Sequence, residues 1–332
     1  MKFALHLQFG HYFLDLKETH VAKLQKEFLQ IEFVNLKKND DRFPEIIRDV
    51  EVLATWPVDP KKFNELLSKA EKLRWIQWSS VGMSLEYLEL ARRRNWMMTN
   101  ARGIASESIS LHVLSLILAF ERKLPMAFQH QIQRKWNHKS FTATEHGFDG
   151  VKGKVLGIVG LGSIGTALAE KGHALGMRVW GVKKNPEVKP SFVEGVLPSS
   201  RLADLLKKAD FLVLALPLLP ETTKLIGREE LNQMKESAYL INVARGGLID
   251  EAALVESLRE NRIAGAALDV AEKEPLAPEH PFYETPNLVL TPHIAGLDRH
   301  YTDSLVDLVR ENTQLYLQGK PLRNKVNLQL GY

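Results

Sequence analysis

A chain of 332 residues with 45% hydrophobic and 25% charged residues has ordinary globular composition, and at roughly 150 residues per domain it makes about two domains. Its 44 Lys and Arg against 40 Asp and Glu leave a net charge of +4 with no basic tract, which disfavours a nucleic-acid partner and leaves anionic small ligands open. Zero cysteines exclude disulfides, thiolate nucleophiles and Cys-ligated zinc or iron–sulfur clusters.

Candidate strands Lys2–Leu7, Ile31–Leu36, Val52–Thr55, Trp75–Ser79 and Trp96–Thr99 alternate with helical stretches Glu18–Leu29, Lys61–Ala70 and Leu85–Arg93. This predicts a smaller α/β unit. The N-terminal alternation Phe3-Ala4-Leu5-His6-Leu7 lacks the apolar core of a signal peptide. The apolar runs around Leu114–Phe120 and Phe211–Leu219 fall far short of the ~20 residues that span a bilayer, so a cytoplasmic location is expected. Ser106–Phe120, with a Ser-rich entry and an apolar stripe through Ile109, Val113 and Leu116, predicts a long helix linking two units. Gln129–Gly150 is polar and aromatic with little periodicity and is expected to be a loop or an arm.

From Lys154 onward the alternation is clearer. Val155–Val159 is a continuous apolar run, as a strand buried on both faces requires. A Gly-rich turn leads into a helix with Ile164, Ala167, Leu168 and Leu175 on one side. Strands are expected at Arg178–Val182, Phe211–Leu216, Tyr239–Val243, Ala264–Asp269 and Leu288–Leu290, and helices at Arg201–Ala209, Arg228–Lys235 and Glu251–Glu260. Such alternation gives parallel strands with right-handed crossovers, a doubly wound sheet. Thr302–Leu317 is helical again beyond the last strand. Folding back onto the first unit, it would make that unit discontinuous.

Gly160-Leu161-Gly162-Ser163-Ile164-Gly165 sits between a predicted strand and a predicted helix. The first Gly permits the tight turn, the second lets backbone approach a pyrophosphate, and the third allows close helix–strand packing. Ser163 and Ile164 open the helix whose N-terminus supplies donors and positive dipole. The next strand would end in an acidic residue for a free ribose diol, but Lys183-Lys184-Asn185 stands there. An Asp repels a 2′-phosphate and two cations attract one, which favours NADP(H) and keeps NAD(H) as the alternative.

Three more pieces lie at predicted strand ends: Asn242–Gly247, Asp269-Val270 leading to Glu274-Pro275, and Thr291–Gly296. Ligands of open α/β sheets bind outside the carboxyl ends of the strands, so these loops should converge. Arg245 can clamp a carboxylate, His293 can exchange a proton near neutral pH, and Glu274 can hold the imidazole in one tautomer and favour its protonated form. Singly, each has a plain reading as ion pair, solvated loop residue or packed histidine. Only the set of three points to chemistry.

The Gly160–Gly165 motif, Leu216-Pro217-Leu218 with Thr222, Asn242–Gly247, Asp269–Pro275 and Thr291–Gly296 occur in the order and spacing of the D-isomer-specific 2-hydroxyacid dehydrogenases. The chain resembles that family across nearly its whole length. Arg74–Gly82 resembles the substrate-loop segment of its glyoxylate/hydroxypyruvate reductase branch. The resemblance implies two doubly wound parallel-sheet domains with a cleft between them. One is a Rossmann-type cofactor domain of residues 101–295, the other a flavodoxin-like substrate domain of residues 1–100 plus 296–332.

By the same resemblance, Arg245 holds the substrate carboxylate and keto oxygen, and His293 is the general acid/base paired with Glu274. Backbone amides of Val81 and Gly82 receive the carboxylate. Asp269 contacts the nicotinamide carboxamide, and Pro217, Thr222, Val243 and His293 join the Gly motif, Lys183 and Lys184 around the cofactor. A homodimer is implied, with the segment after the long helix as an arm. Two departures stand out: Lys183 replaces an acidic residue, and the family's frequent Ala-Glu-His on the long helix reads Ser110-Leu111-His112. No role carries over to that acidic position. His112, among apolar residues, is expected to be structural.

The expected reaction is reversible hydride transfer between NADP(H) and a small 2-oxo acid, glyoxylate- or hydroxypyruvate-like, giving the D-hydroxy acid without a metal. One alternative is an NAD-linked D-lactate- or phosphoglycerate-type dehydrogenase, although phosphoglycerate members often carry a further regulatory domain. The other is a non-enzymatic dinucleotide sensor resembling the C-terminal-binding transcriptional corepressors, which a turnover assay would reveal. The sequence does not place Trp56, Met83, Trp136 or His300.

Overall fold

Strands covered on both faces need apolar side chains at nearly every position, and the two sets of short apolar runs supply them. The computed structural model describes residues 1–8, 14–38, 40–56, 59–83, 85–142, 148–186 and 189–329. It divides into one unit of Met1–Ala105 with Leu297–Tyr332 and another of Ser106–Gly296.

In the first unit, β1 (Lys2–His6), β2 (Glu32–Asn35), β3 (Val52–Thr55), β4 (Trp75–Trp78) and β5 (Met97–Thr99) form a wholly parallel sheet in the order β2-β1-β3-β4-β5. Helices α1 (Glu18–Glu27), α2 (Phe43–Ile46), α3 (Pro60–Leu67) and α4 (Leu85–Arg94) connect the strands. α3 starts where Asp59 accepts hydrogen bonds from the Lys61 and Lys62 amides, satisfying donors that a helix start leaves orphaned. Trp78, Phe63 and Tyr87 pack ring against ring in the core, with Met83 at its edge.

The C-terminal helix Tyr301–Leu317 is bonded into this unit. Tyr301 donates its hydroxyl to Ser79 O at 2.7 Å, and Thr302 donates to Leu14 O at 2.8 Å. Asn312 Nδ2 reaches the buried Gln77 Oε1 at 3.1 Å, which also accepts from Thr99 Oγ1 at 2.7 Å. Buried amide oxygens are costly unless satisfied, so strand β4, strand β5 and this helix depend on one another. Trp56 stands edge-on to Tyr301, and His300 Nδ1 lies 3.4 Å from Asp303 Oδ2.

The second unit carries β6 (Val155–Val159), β7 (Arg178–Val182), β8 (Gly195–Leu197), β9 (Phe211–Leu214), β10 (Tyr239–Asn242), β11 (Gly265–Leu268) and β12 (Leu288–Leu290). All are parallel, in the order β12-β11-β10-β9-β6-β7-β8. Its helices are α5 (Ser106–Glu121), α6 (Leu124–Ile132), α7 (Lys139–Thr142), α8 (Ser163–Ala174), α9 (Leu202–Leu206), α10 (Arg228–Gln233) and α11 (Glu251–Arg259). Leu212, Leu214, Leu240, Ala266 and Leu268 face one buried cluster with Leu254 and Leu258 of α11. Strand order reverses between β6 and β9, the switch point outside which doubly wound sheets bind ligands.

Two expectations need correction. β8 is a seventh strand that the sequence does not announce, because three residues at a sheet edge carry no periodicity. Gly195 is admitted there by Trp180, whose ring would lie 2.3 Å from a Cβ. The Gln129–Gly150 segment is not all loop: α6 runs to Ile132 and α7 follows, while residues 143–147 lie outside the described residues. α6 has no buried residue, so no apolar stripe marks it. Ile132, its last residue, is 83% exposed, and Trp136 beyond it is 100% exposed. Among the described residues no helix is long and apolar enough to cross a membrane.

Candidate active site

The loop after β6 is shaped by what cannot fit in it. Gly160 holds φ +104°, and a Cβ there would lie 2.5 Å from Ala215 O on the loop after β9. A Cβ on Gly165 would lie 2.1 Å from Gly160 O. Gly162 differs: a Cβ there meets nothing within 4 Å, so the missing side chain opens space in front of α8. Gly162 caps α8 without a side-chain bond, leaving the first-turn amides, Ser163 and Ile164 among them, for a ligand. An open cradle, free amides and a positive dipole fit a pyrophosphate.

Across the switch point, Thr222 organises the loop after β9. Its hydroxyl accepts from the Leu219 amide at 2.7 Å and donates to Pro217 O at 2.9 Å. Lys183 follows β7, half-buried, its amide bonded to Leu197 O. Lys184 is exposed and lies 3.8 Å from Glu221, an ion pair that the sequence does not reveal and that contributes little in water.

The Arg245 loop is fixed by the buried Asn242, whose Oδ1 accepts from the Ala244 amide at 3.0 Å and whose Nδ2 donates to Arg245 O at 2.8 Å. Val243 between them is buried. A Cβ on Gly246 would overlap the Ala271–Glu272 peptide, so only Gly lets this loop touch the one leading to Glu274. Arg245 keeps surface open to solvent. The protein around it still withholds water, which lowers the guanidinium pKa, and the Glu274 carboxylate opposes that shift. Arginine stays cationic under such perturbation.

His293 Nδ1 lies 2.7 Å from Glu274 Oε2, and Glu274 Oε1 accepts from the Ala271 amide at 3.0 Å. A carboxylate accepts only, so Nδ1 carries the proton. The imidazole remains 52% exposed, open to a reactant. His293 holds φ +55°, an uncommon conformation for a residue with a side chain. Its amide donates to Asp269 O at 2.8 Å, while the Asp269 carboxylate accepts from the Ile294 and Ala295 amides at 2.9 Å each and from Thr291 Oγ1 at 2.5 Å. Arg245, Glu274 and His293 are therefore brought together, with Asp269 beneath them at 1% exposure. Val81 and Gly82 belong to the other unit, just past β4. Asn100 Nδ2 donates to Val81 O, and Trp78 Nε1 and Ser80 Oγ donate to Gly82 O. Among the described residues no group of three or more acidic or histidine side chains is placed to hold a metal ion.

Residues 114–295, more than half of the chain, match the model described as "D-isomer specific 2-hydroxyacid dehydrogenase, NAD binding domain". The chain belongs to the D-isomer-specific 2-hydroxyacid dehydrogenase family. Within it, the chain is 37% identical over 273 residues to the glyoxylate reductase of Aeropyrum pernix, covering 80% of each. It is 35% identical over 286 residues to the D-3-phosphoglycerate dehydrogenase of Methanocaldococcus jannaschii, covering 86% of this chain but only 53% of that relative's length. The crystal structure of a D-isomer-specific 2-hydroxyacid dehydrogenase family protein from Aeromonas salmonicida subsp. salmonicida superposes with TM-score 0.82 at 30% identity. It covers 98% of this chain and 99% of that one.

For this family member the sequence under-reads the supports of the site. Asn242 and Gly246 stand in the Arg245 motif, but nothing local says that one pins the loop and the other admits its neighbour. His112, expected to be structural, lies 3.1 Å from Thr291 Oγ1.

Proposed function

We propose that the chain is an NADP(H)-linked reductase of small 2-oxo acids, acting on a glyoxylate- or hydroxypyruvate-like substrate and yielding the D-2-hydroxy acid. The reading is carried by the His293–Glu274 pair at 2.7 Å beside Arg245, on strand-end loops of a dinucleotide-binding sheet. Relatives named glyoxylate reductase at 33–37% identity support the substrate class.

When bound, the nicotinamide supplies the hydride. Arg245 forks onto the substrate carboxylate and keto oxygen, fixing the carbonyl and stabilising the negative charge that develops on it. His293, held at Nδ1 by Glu274, donates its Nε2 proton to the forming alkoxide; the reverse direction returns that proton. Val81 and Gly82 amides as carboxylate donors, and Asp269 as acceptor for the carboxamide, belong to the same reading. Steady-state rates with glyoxylate, hydroxypyruvate, pyruvate and a bulky 2-oxo acid test it, each with NADPH and NADH. The two small hydroxy-acid precursors should lead. Greater efficiency with 3-phosphoglycerate and NAD would instead select the phosphoglycerate-type reading that the Methanocaldococcus relative suggests.

Cofactor choice follows from Lys183 and Lys184 at the end of β7. Replacing both by Ala should weaken NADPH by about 1–3 kcal/mol, the worth of charge-assisted contacts, and leave NADH nearly unchanged. Equal efficiency of the native protein with both cofactors would sink this idea. Phe128, Ile132 and Trp136 are exposed on and just after α6, the segment expected to be an arm, and a homodimer that covers them is part of the proposal. Light scattering at micromolar concentration should give twice the chain mass, and a monomer would refute it.

A further inference from the structure

We infer that His112 is a positioning residue for His293, acting from helix α5 through the Thr291 hydroxyl and the Asp269 carboxylate. The inference rests on the reading of His293 as proton donor.

His112 Nε2 lies 3.1 Å from Thr291 Oγ1 and 3.8 Å from Asp269 Oδ1. Thr291 Oγ1 lies 2.5 Å from Asp269 Oδ1. A hydroxyl has one proton, and a carboxylate can only accept. The Thr291 proton therefore points at Asp269, and Thr291 can only accept from His112, whose Nε2 carries a proton in this arrangement. A hydroxyl otherwise rotates to suit its surroundings. With His112 donating from behind, a single rotamer remains, and the two bonds polarise one another along the chain.

What that rotamer fixes is the buried Asp269. Its Oδ1 also accepts from the Ile294 amide and its Oδ2 from the Ala295 amide, while its own carbonyl accepts from the His293 amide. Asp269 thus bonds the backbone at and immediately after His293, the residue held at φ +55°. The turn over that carboxylate aims the imidazole at Glu274. A histidine kept for packing alone would not need its nitrogen on this hydroxyl, and a leucine of similar bulk would serve.

The experiment compares His112→Leu, which keeps bulk and loses the donor, with His112→Gln, which keeps an N–H at the same reach. The readouts are kcat for 2-oxo acid reduction, NADPH Kd, melting temperature, and amide exchange at Ile294 and Ala295. His112→Leu should lower kcat about 10- to 100-fold, the cost of a misaimed reacting group, with a much smaller rise in Kd, since Asp269 is also the proposed carboxamide acceptor, and faster exchange at the two amides. His112→Gln should restore most of both. Thr291→Val and Thr291→Ser interrupt and keep the same chain at its middle link, and decide the matter if His112→Leu does not fold. Native-like kcat and exchange in the Leu and Val variants would overturn the inference. So would parallel losses of kcat, Kd and melting temperature that Gln does not rescue. If the native protein turns over no 2-oxo acid, the functional reading fails, and amide exchange alone decides whether His112 sets the turn.

Discussion

His293→Gln should lower the turnover number for 2-oxo acid reduction by about 10²–10⁴-fold, the usual contribution of general acid–base catalysis, while NADPH affinity stays where it was. Gln presents an N–H near the place of Nε2 but cannot surrender that proton at neutral pH, so the alkoxide would have to take one from water. Cofactor binding should be spared because the half-exposed imidazole has Glu274 for its partner and gives its proton to the substrate in the proposed role. Stability should change little, since among the described residues the ring's one protein partner is Glu274, at a solvent-open position, and such surface sites seldom cost much. Glu274→Gln retains a hydrogen-bonding side chain and loses the charge, so its loss of kcat should be smaller. Paired rates and thermal melts check this. A folded His293→Gln protein with near-native turnover removes the histidine from the mechanism.

Arg245→Gln should cost about 10²–10³-fold in kcat, the loss typical of one donor aimed at developing negative charge, and should raise KM as well. The split has a physical origin. In the proposed role the fork would bind the carboxylate before reaction as strongly as during it, which is ground-state binding and sets KM. Its reach to the keto oxygen would strengthen only as charge accumulates there, which sets kcat. Arg245→Lys should recover part of KM, because a point charge still attracts a carboxylate, and little of kcat, because the planar two-point geometry is gone. The loop itself should persist, since it is held by Asn242 and by the Gly246 contact with residues 271–272. Saturation curves with glyoxylate measure both constants. An unchanged KM in Arg245→Gln would place the carboxylate elsewhere.

The Gly160–Gly165 loop is readable because a strand, a Gly-rich turn and a helix start follow one another in sequence, although the atom that excludes a side chain at Gly160 belongs to Ala215 on the loop after β9. The strand-end positions of Arg245, Glu274 and His293 were readable for the same reason, since a strand's end and a turn follow from neighbouring residues. β8 was hidden because an edge strand of three residues has no period to detect, and α6 because it has no buried face. His112 was hidden differently. A histidine amid apolar residues of a helix looks like core, and its partner Thr291 stands 179 positions away, beyond any local pattern. The same distance separates what a motif names from what holds the motif in place.

The C-terminal helix of the first unit has a consequence for synthesis. Gln77 lies in a strand made early, yet one of its donors is Asn312, and Ser79 O waits for Tyr301. A chain emerging from the ribosome therefore carries five strands whose sheet lacks the helix of residues 301–317 until all of residues 106–296 have been added. Residues 106–296 form a continuous unit that can finish first, although translated second. Domains ordinarily fold from the N-terminus as they appear. The order of completion should therefore reverse here, and strand β4, with Trp75 and Gln77, waits longest for its partners Tyr316 and Asn312.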